Sequence, residues 1–208
     1  MKKNVFVILS FITLQLLACT LCSTKKVPCT SFDNNNFGTW FPYTSRLYQV
    51  FKNSQTQDTI GFQFTDIYYS PAYEVQTGGF GNRIGGCSKS ATVGATAINK
   101  YINVQYYIDS AFNQPNANQQ LNISISNSFF YAEEVNNQEI KKSIIDSTSN
   151  IITNTDVIFN GIFCTKLCTI TNDTINNKND RIYKIHISKG KGIIGYEYYP
   201  SLQKWIIQ

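Results

Sequence analysis

The sequence predicts an all-β domain, either an antiparallel sandwich or a curled, barrel-like sheet of about nine or ten strands. Three observations carry this reading. Apolar and polar residues alternate with period two in several segments. Turn-forming Asn, Gly, Ser and Pro separate those segments. Helical spacing surfaces only weakly, around Glu139 to Ile145, where Ile140 and Ile144 fit a helical turn or a strand equally well.

Taken in order, Phe51 and Ile60 bracket a polar hairpin loop, Lys52 to Thr59, with Asn53-Ser54 and Gln57-Asp58 able to make the bend. Ile102, Val104, Tyr106 and Ile108 alternate with Asn103, Gln105 and Asp109, as in a half-buried strand. Leu121, Ile123, Ile125, Asn127, Phe129 and Tyr131 form one side of another run, opposite Asn122, Ser124, Ser126 and Ser128. Asn160-Gly161 marks a two-residue hairpin, because a type I′ turn needs positive φ at both central positions. Cys164 and Cys168 are expected to share a strand face with Ile162, Lys166 and Ile170. Four residues along a strand span roughly 13 Å, beyond the ~7 Å reach of a disulfide, so these two thiols do not pair with each other.

At the C-terminus, Tyr183, Ile185 and Ile187 alternate with Lys184, His186 and Ser188. The turn Lys189-Gly190-Lys191-Gly192 leads to a strand through Ile194, Tyr196 and Tyr198. That strand is expected to present the same core face as Tyr183, Ile185 and Ile187. A last strand, Lys204 to Ile207, follows the Pro200-Ser201 bend and buries Trp205. The same alternation puts His186 on the polar face, exposed and tolerant of truncation.

The formal net charge is +5 and the lysines are scattered, with arginine only at positions 46, 83 and 181. That distribution lacks the clustered cationic footprint of a nucleic-acid-binding protein. Abundant Asn, Ile, Lys, Tyr and Phe match AT-rich coding, so Asn34-Asn35-Asn36, Asn136-Asn137 and Asn176-Asn177 are read as turns and loops rather than as functional tracts.

The N-terminus carries an address. Lys2 and Lys3 precede an apolar run from Val5 to Leu17, which is short of the roughly 20 residues that span a bilayer, and Leu16-Leu17-Ala18-Cys19 follows. This tetrad resembles the lipobox of bacterial lipoproteins. The resemblance implies cleavage after Ala18, diacylglyceryl and palmitate attachment at Cys19, and an outer-membrane, lipid-anchored location in the cell envelope. An ordinary secretory signal cut near Cys22 and Ser23 is the alternative. The organisation expected is a signal peptide over 1–18, a lipidated tether over 19–36 and a single all-β domain over 37–208. Cleavage removes Lys2 and Lys3 and lowers the charge from +5 to +3. A transmembrane β-barrel is not expected, because its strands need a continuous lipid-facing apolar band and a lipobox would be redundant on it. The segment Tyr183 to Gly195-Tyr196, with Trp205-Ile206-Ile207, also resembles the end of many uncharacterised bacterial envelope lipoproteins, a likeness that implies surroundings rather than chemistry.

Catalytic signals are thin. His186 is the only histidine, no Gly-x-Ser-x-Gly elbow occurs, and the adjacent Glu133 and Glu134 would point to opposite faces of a strand. No metal or other cofactor is expected, since a zinc site at Cys164 and Cys168 needs two further ligands. The loop Gly78 to Gly86 lacks the third glycine of a dinucleotide fingerprint and a P-loop ending. It offers Arg83 to an anionic group. Aromatic clusters give the stronger binding signal, with Trp40, Tyr68 and Tyr106 as candidate ligand contacts. Cys29 and Cys87 are the expected disulfide, closing a loop of about 58 residues and stabilising by about 3–5 kcal/mol in the chain-entropy picture. The function these features imply is a non-enzymatic, lipid-anchored envelope protein serving binding or assembly. Its expected partners are the membrane, through Cys19, and an envelope protein, glycan or apolar ligand. The alternative is a lipocalin-like or lipoprotein-chaperone-like carrier of an apolar molecule.

Overall fold

A computed structural model describes residues 34–70, 73–77, 84–111, 118–141, 149–173 and 179–208. Cys19, Cys29 and Arg83, and with them the lipid anchor and the expected Cys29–Cys87 partner, lie outside the described residues. The fold is all-β and antiparallel, as the alternation implies, and the sheet curls into a nearly closed barrel.

Among the described residues one helix, α1 (Asn34–Trp40), precedes thirteen strands: β1 (Tyr48–Asn53), β2 (Thr59–Phe64), β3 (Tyr68–Tyr69), β4 (Tyr73–Thr77), β5 (Ile84–Ala97), β6 (Lys100–Ala111), β7 (Asn118–Ile125), β8 (Ser128–Ala132), β9 (Ser149–Phe159), β10 (Ile162–Asn172), β11 (Arg181–Ser188), β12 (Gly192–Tyr199) and β13 (Lys204–Ile207). Their order is β8-β7-β6-β5-β2-β1-β13-β12-β11-β10-β9. The expected nine or ten is exceeded because one side of the long β5 is covered by three short pieces. β2 pairs at Ala95 and Thr96, β3 at Ala91 and Thr92, and β4 from Ser88 to Ile84. The sheet is thus two up-and-down meanders joined where β13 pairs with β1, Phe51 opposite Ile207 and Asn53 opposite Trp205. Its edge strands are β8 and β9, and beside that closure the Asn172 amide at the end of β10 donates to the Phe129 carbonyl on β8 at 2.5 Å. Curling brings the two edges together, which limits the exposed strand edge available for aggregation.

Several expected turns hold. Asn160 and Gly161 both take positive φ (48° and 83°) between Phe159 and Ile162, a two-residue hairpin. Gly190 and Gly192, at 78° and 79°, close the β11–β12 connection. Ile102, Val104, Tyr106 and Ile108 all face the core. Glu139 to Ile145 is not seen as a helix over its described part, since Val135 and Ile140 form an isolated bridge.

Other expectations are corrected. Asn34 to Asn36, expected as a turn or loop, belong to α1. The run from Leu121 to Tyr131 breaks at Ser126, which takes a φ of 52°, and its inward parity flips. Leu121, Ile123 and Ile125 are buried, but beyond the turn Phe130 and Ala132 point inward while Phe129 is 71% exposed. Bulges between Ile182 and Lys184 and between His186 and Ile187 alter the C-terminal hairpin. Tyr183 falls outside the core set, and Ile193 rather than Ile194 joins Ile185, Ile187 and Tyr196 in it.

The barrel is filled partly by its own N-terminal segment. Phe37, Trp40 and Phe41, spaced three and four apart on α1 and its exit, occupy one helix face, and Pro42 stops the helix beyond. Together with Tyr43 they are buried in the core, each contributing roughly 2 kcal/mol by burial. The Trp40 indole donates to the Asn136 carbonyl at 2.7 Å, Tyr43 stacks on Phe64 at 3.9 Å, and the Gly190 amide donates to the Thr39 carbonyl at 2.7 Å. These contacts fix the plug at the barrel end that carries the β11–β12 turn.

Candidate functional site

Among the described residues, a dense polar cluster lies on the outside of the barrel, where β10, β11 and β12 run side by side. Thr169 pairs with His186, which pairs with Gly195, and Lys184 pairs with Glu197. Alternation sends these side chains outward, as the sequence implies. What it does not convey is a second layer. Phe159, Val157 and Ile162, at the tip of the β9–β10 hairpin, fold over this face and pack on Cys164, Leu167 and Ile194. The Phe159 ring lies 4.4 Å from the His186 ring. His186 is therefore buried, only 6% exposed, which corrects its expected exposure. Gly195 is what lets Phe159 in, because a Cβ there would stand 3.3 Å from that ring and 3.0 Å from the Trp205 carbonyl.

Glu197, also buried, is the hub. One carboxylate oxygen meets His186 Nε2 at 3.1 Å and Lys204 Nζ at 3.5 Å. The other accepts from the Tyr183 hydroxyl at 3.0 Å and from Lys184 Nζ at 3.4 Å. The His186 hydrogen bond, backed by Lys184 and the Tyr183 hydroxyl, outweighs burial and holds the carboxyl at about 2. Burial draws the Lys184 ammonium down, but the Glu197 charge and the Tyr183 hydroxyl raise it on balance. Burial and the Glu197 carboxylate raise the Tyr183 phenol.

On its other side, His186 Nδ1 lies 3.0 Å from Thr169 Oγ1. Hydroxyl, imidazole and carboxylate thus line up in the order a nucleophilic relay requires. Burial opposes that use, because Phe159 covers the ring where a substrate would have to arrive. The arrangement is suited to holding an ionised carboxylate among cations, a clasp joining β10, β11, β12 and β13. Glu197 drew no attention in the sequence. The available signal was its register opposite Lys184, which follows from the short β11–β12 turn once the Tyr183 bulge is allowed for.

The sequence-derived binding residues are not brought together. Trp40 and Tyr106 are interior, which corrects their reading as surface contacts. Trp40 belongs to the plug, while Tyr106 stacks near Phe37 at 6.4 Å and donates to Gln119 Oε1 at 2.7 Å. Tyr68 is 65% exposed on β3. Cys87 is disulfide-bonded, with its partner outside the described residues. Cys164 and Cys168 are buried free thiols, but they do not share a face. Cys168 packs in the main core and Cys164 in the outer cluster. The ladder is interrupted between the Cys164–Val157 and Lys166–Thr155 pairs, where Asp156 takes a φ of 50° and the strand turns. Comparison with known protein families, curated proteins and solved structures finds no match to this chain.

Proposed function

We propose that this chain is a non-enzymatic, lipid-anchored protein of the bacterial cell envelope, tethered through Cys19 to the outer membrane and serving binding or assembly. The observation that carries the binding-module reading is the plug. Phe37, Trp40, Phe41 and Tyr43 occupy the part of the barrel that a carrier would keep open for an apolar guest. A carrier of the lipocalin-like kind is correspondingly less well supported. The covered imidazole of His186 favours a structural clasp over catalysis. The lipobox-like Leu16-Leu17-Ala18-Cys19 supports the anchor, since a diacylated cysteine gives the two chains that stable attachment needs. Metabolic labelling with a tagged fatty acid tests it. The parent chain is expected to take up label and sediment with membranes, and Cys19→Ala to lose both. Label retained by Cys19→Ala would overturn the anchor.

A further inference from the structure

At the barrel end opposite the plug, the interior carries a lysine ammonium beside two aromatic donors that have no acceptor among the described residues. Lys100 opens β6 just after the Ile98-Asn99 turn, in phase with Ile102 and Val104, so it starts on the inward face. Its side chain crosses the mouth to the far wall. The ammonium sits 4.7 Å from the centre of the Trp205 ring and 5.6 Å from that of Tyr198, and it donates to the Tyr198 hydroxyl at 3.4 Å. Trp205 stacks on Tyr196 at 6.1 Å, and Tyr196 meets Tyr198 edge-on at 6.0 Å. Trp205 Nε1 and the Tyr196 hydroxyl are both buried and have no hydrogen-bond partner among the described residues. Lys100 forms no ion pair among the described residues either, and burial lowers its ammonium.

Buried polar groups are ordinarily satisfied, and an orphaned one costs about 1–3 kcal/mol. Two orphans on stacked rings, beside a half-buried cation without a counter-ion, therefore call for an acceptor. We propose that this mouth binds a small organic carboxylate. Its oxygens take the Trp205 N–H, the Tyr196 hydroxyl and the Lys100 ammonium, and its apolar or aromatic body lies against the rings. Binding draws the ammonium off the indole face toward the carboxylate. A monoanion fits better than phosphate, because there is one cation here and the Asp180 carboxylate is close enough for its charge to act on Tyr198. This inference deepens the binding-module reading and rests on it, but it is independent of lipidation at Cys19.

The test is a titration of the 15N-labelled full chain, following its two tryptophan indole N–H resonances. The probes are sodium benzoate, sodium octanoate, benzyl alcohol and inorganic phosphate. Either carboxylate is expected to shift the Trp205 resonance saturably at millimolar concentrations and leave that of Trp40 in place. Benzyl alcohol and phosphate are expected to bind at least about tenfold more weakly, as the loss of a charge-assisted hydrogen bond implies. Lys100→Met, with an unchanged circular dichroism spectrum, should weaken the carboxylates by about the same factor, and Lys100→Arg should largely restore them. No carboxylate-induced shift at Trp205, equal binding of benzyl alcohol or phosphate, or undiminished binding by Lys100→Met would each overturn the proposal. The fatty-acid labelling outcome is unaffected in every case, so the two failures are distinguishable.

Discussion

Replacing Glu197 with glutamine keeps the shape of the clasp and removes its charge. In the folded chain the carboxyl titrates at about 2, against an ordinary 4.5. At 1.36 kcal/mol per pH unit that interval is worth about 3 kcal/mol. Lys204 is half exposed and Lys184 partly so, and solvent screening at those positions reduces the figure to about 1–2 kcal/mol. The sign follows from linkage. A carboxyl lowered by folding contributes its full stabilisation above pH 4.5 and loses it as the pH falls through about 2. Glu197→Gln should therefore be less stable than the parent by about 1–2 kcal/mol at pH 7, and the gap should close progressively between pH 5 and pH 2. Urea unfolding of both chains at several pH values, with the disulfide intact, measures it. Using the difference between the two chains cancels the other carboxylates. Equal stability at pH 7, or a gap that persists undiminished at pH 2, would refute the reasoning.

His186→Ala should cost about 2–3 kcal/mol by the same assay, since it strips a hydrogen bond from a buried carboxylate and leaves a void under Phe159. Trp205→Ala should cost about 3–5 kcal/mol, because its ring is buried against Tyr196. Gly192→Ala should destabilise by about 2 kcal/mol or more, as the residue sits at a φ of 79° and a Cβ there would collide with the Tyr43 hydroxyl; thermal melting reads this out. Burial pushes the Cys168 thiol up to about 12, and Cys164 is equally enclosed. A thiol reagent should therefore leave both unmodified until denaturant is added. Peptide mapping of the non-reduced protein should return Cys29 as the partner of Cys87.

Strand identity was legible from the sequence wherever alternation ran unbroken, because one wet and one dry face dictate period two. β6 is the clear case. Local turn chemistry was legible too, since Asn160-Gly161 and the glycines at 190 and 192 need only their own backbone preferences. Parity was lost wherever a single residue shifted it. Ser126 and the bulge at Tyr183 each moved a run of side chains to the other face, and neither carries an obvious local marker.

The sequence by itself determined an antiparallel all-β chain, its main turns, and the outward direction of Lys184 and His186 on β11. Only the tertiary structure decided what covers them. Whether an outward His186 meets water or Phe159 depends on where a hairpin about thirty residues earlier in the chain comes to rest. Whether Trp40 is a surface contact or a plug depends on the curvature of the whole sheet. Alternation reports the direction of a side chain relative to its own strand, while burial is set by what arrives from elsewhere in the chain.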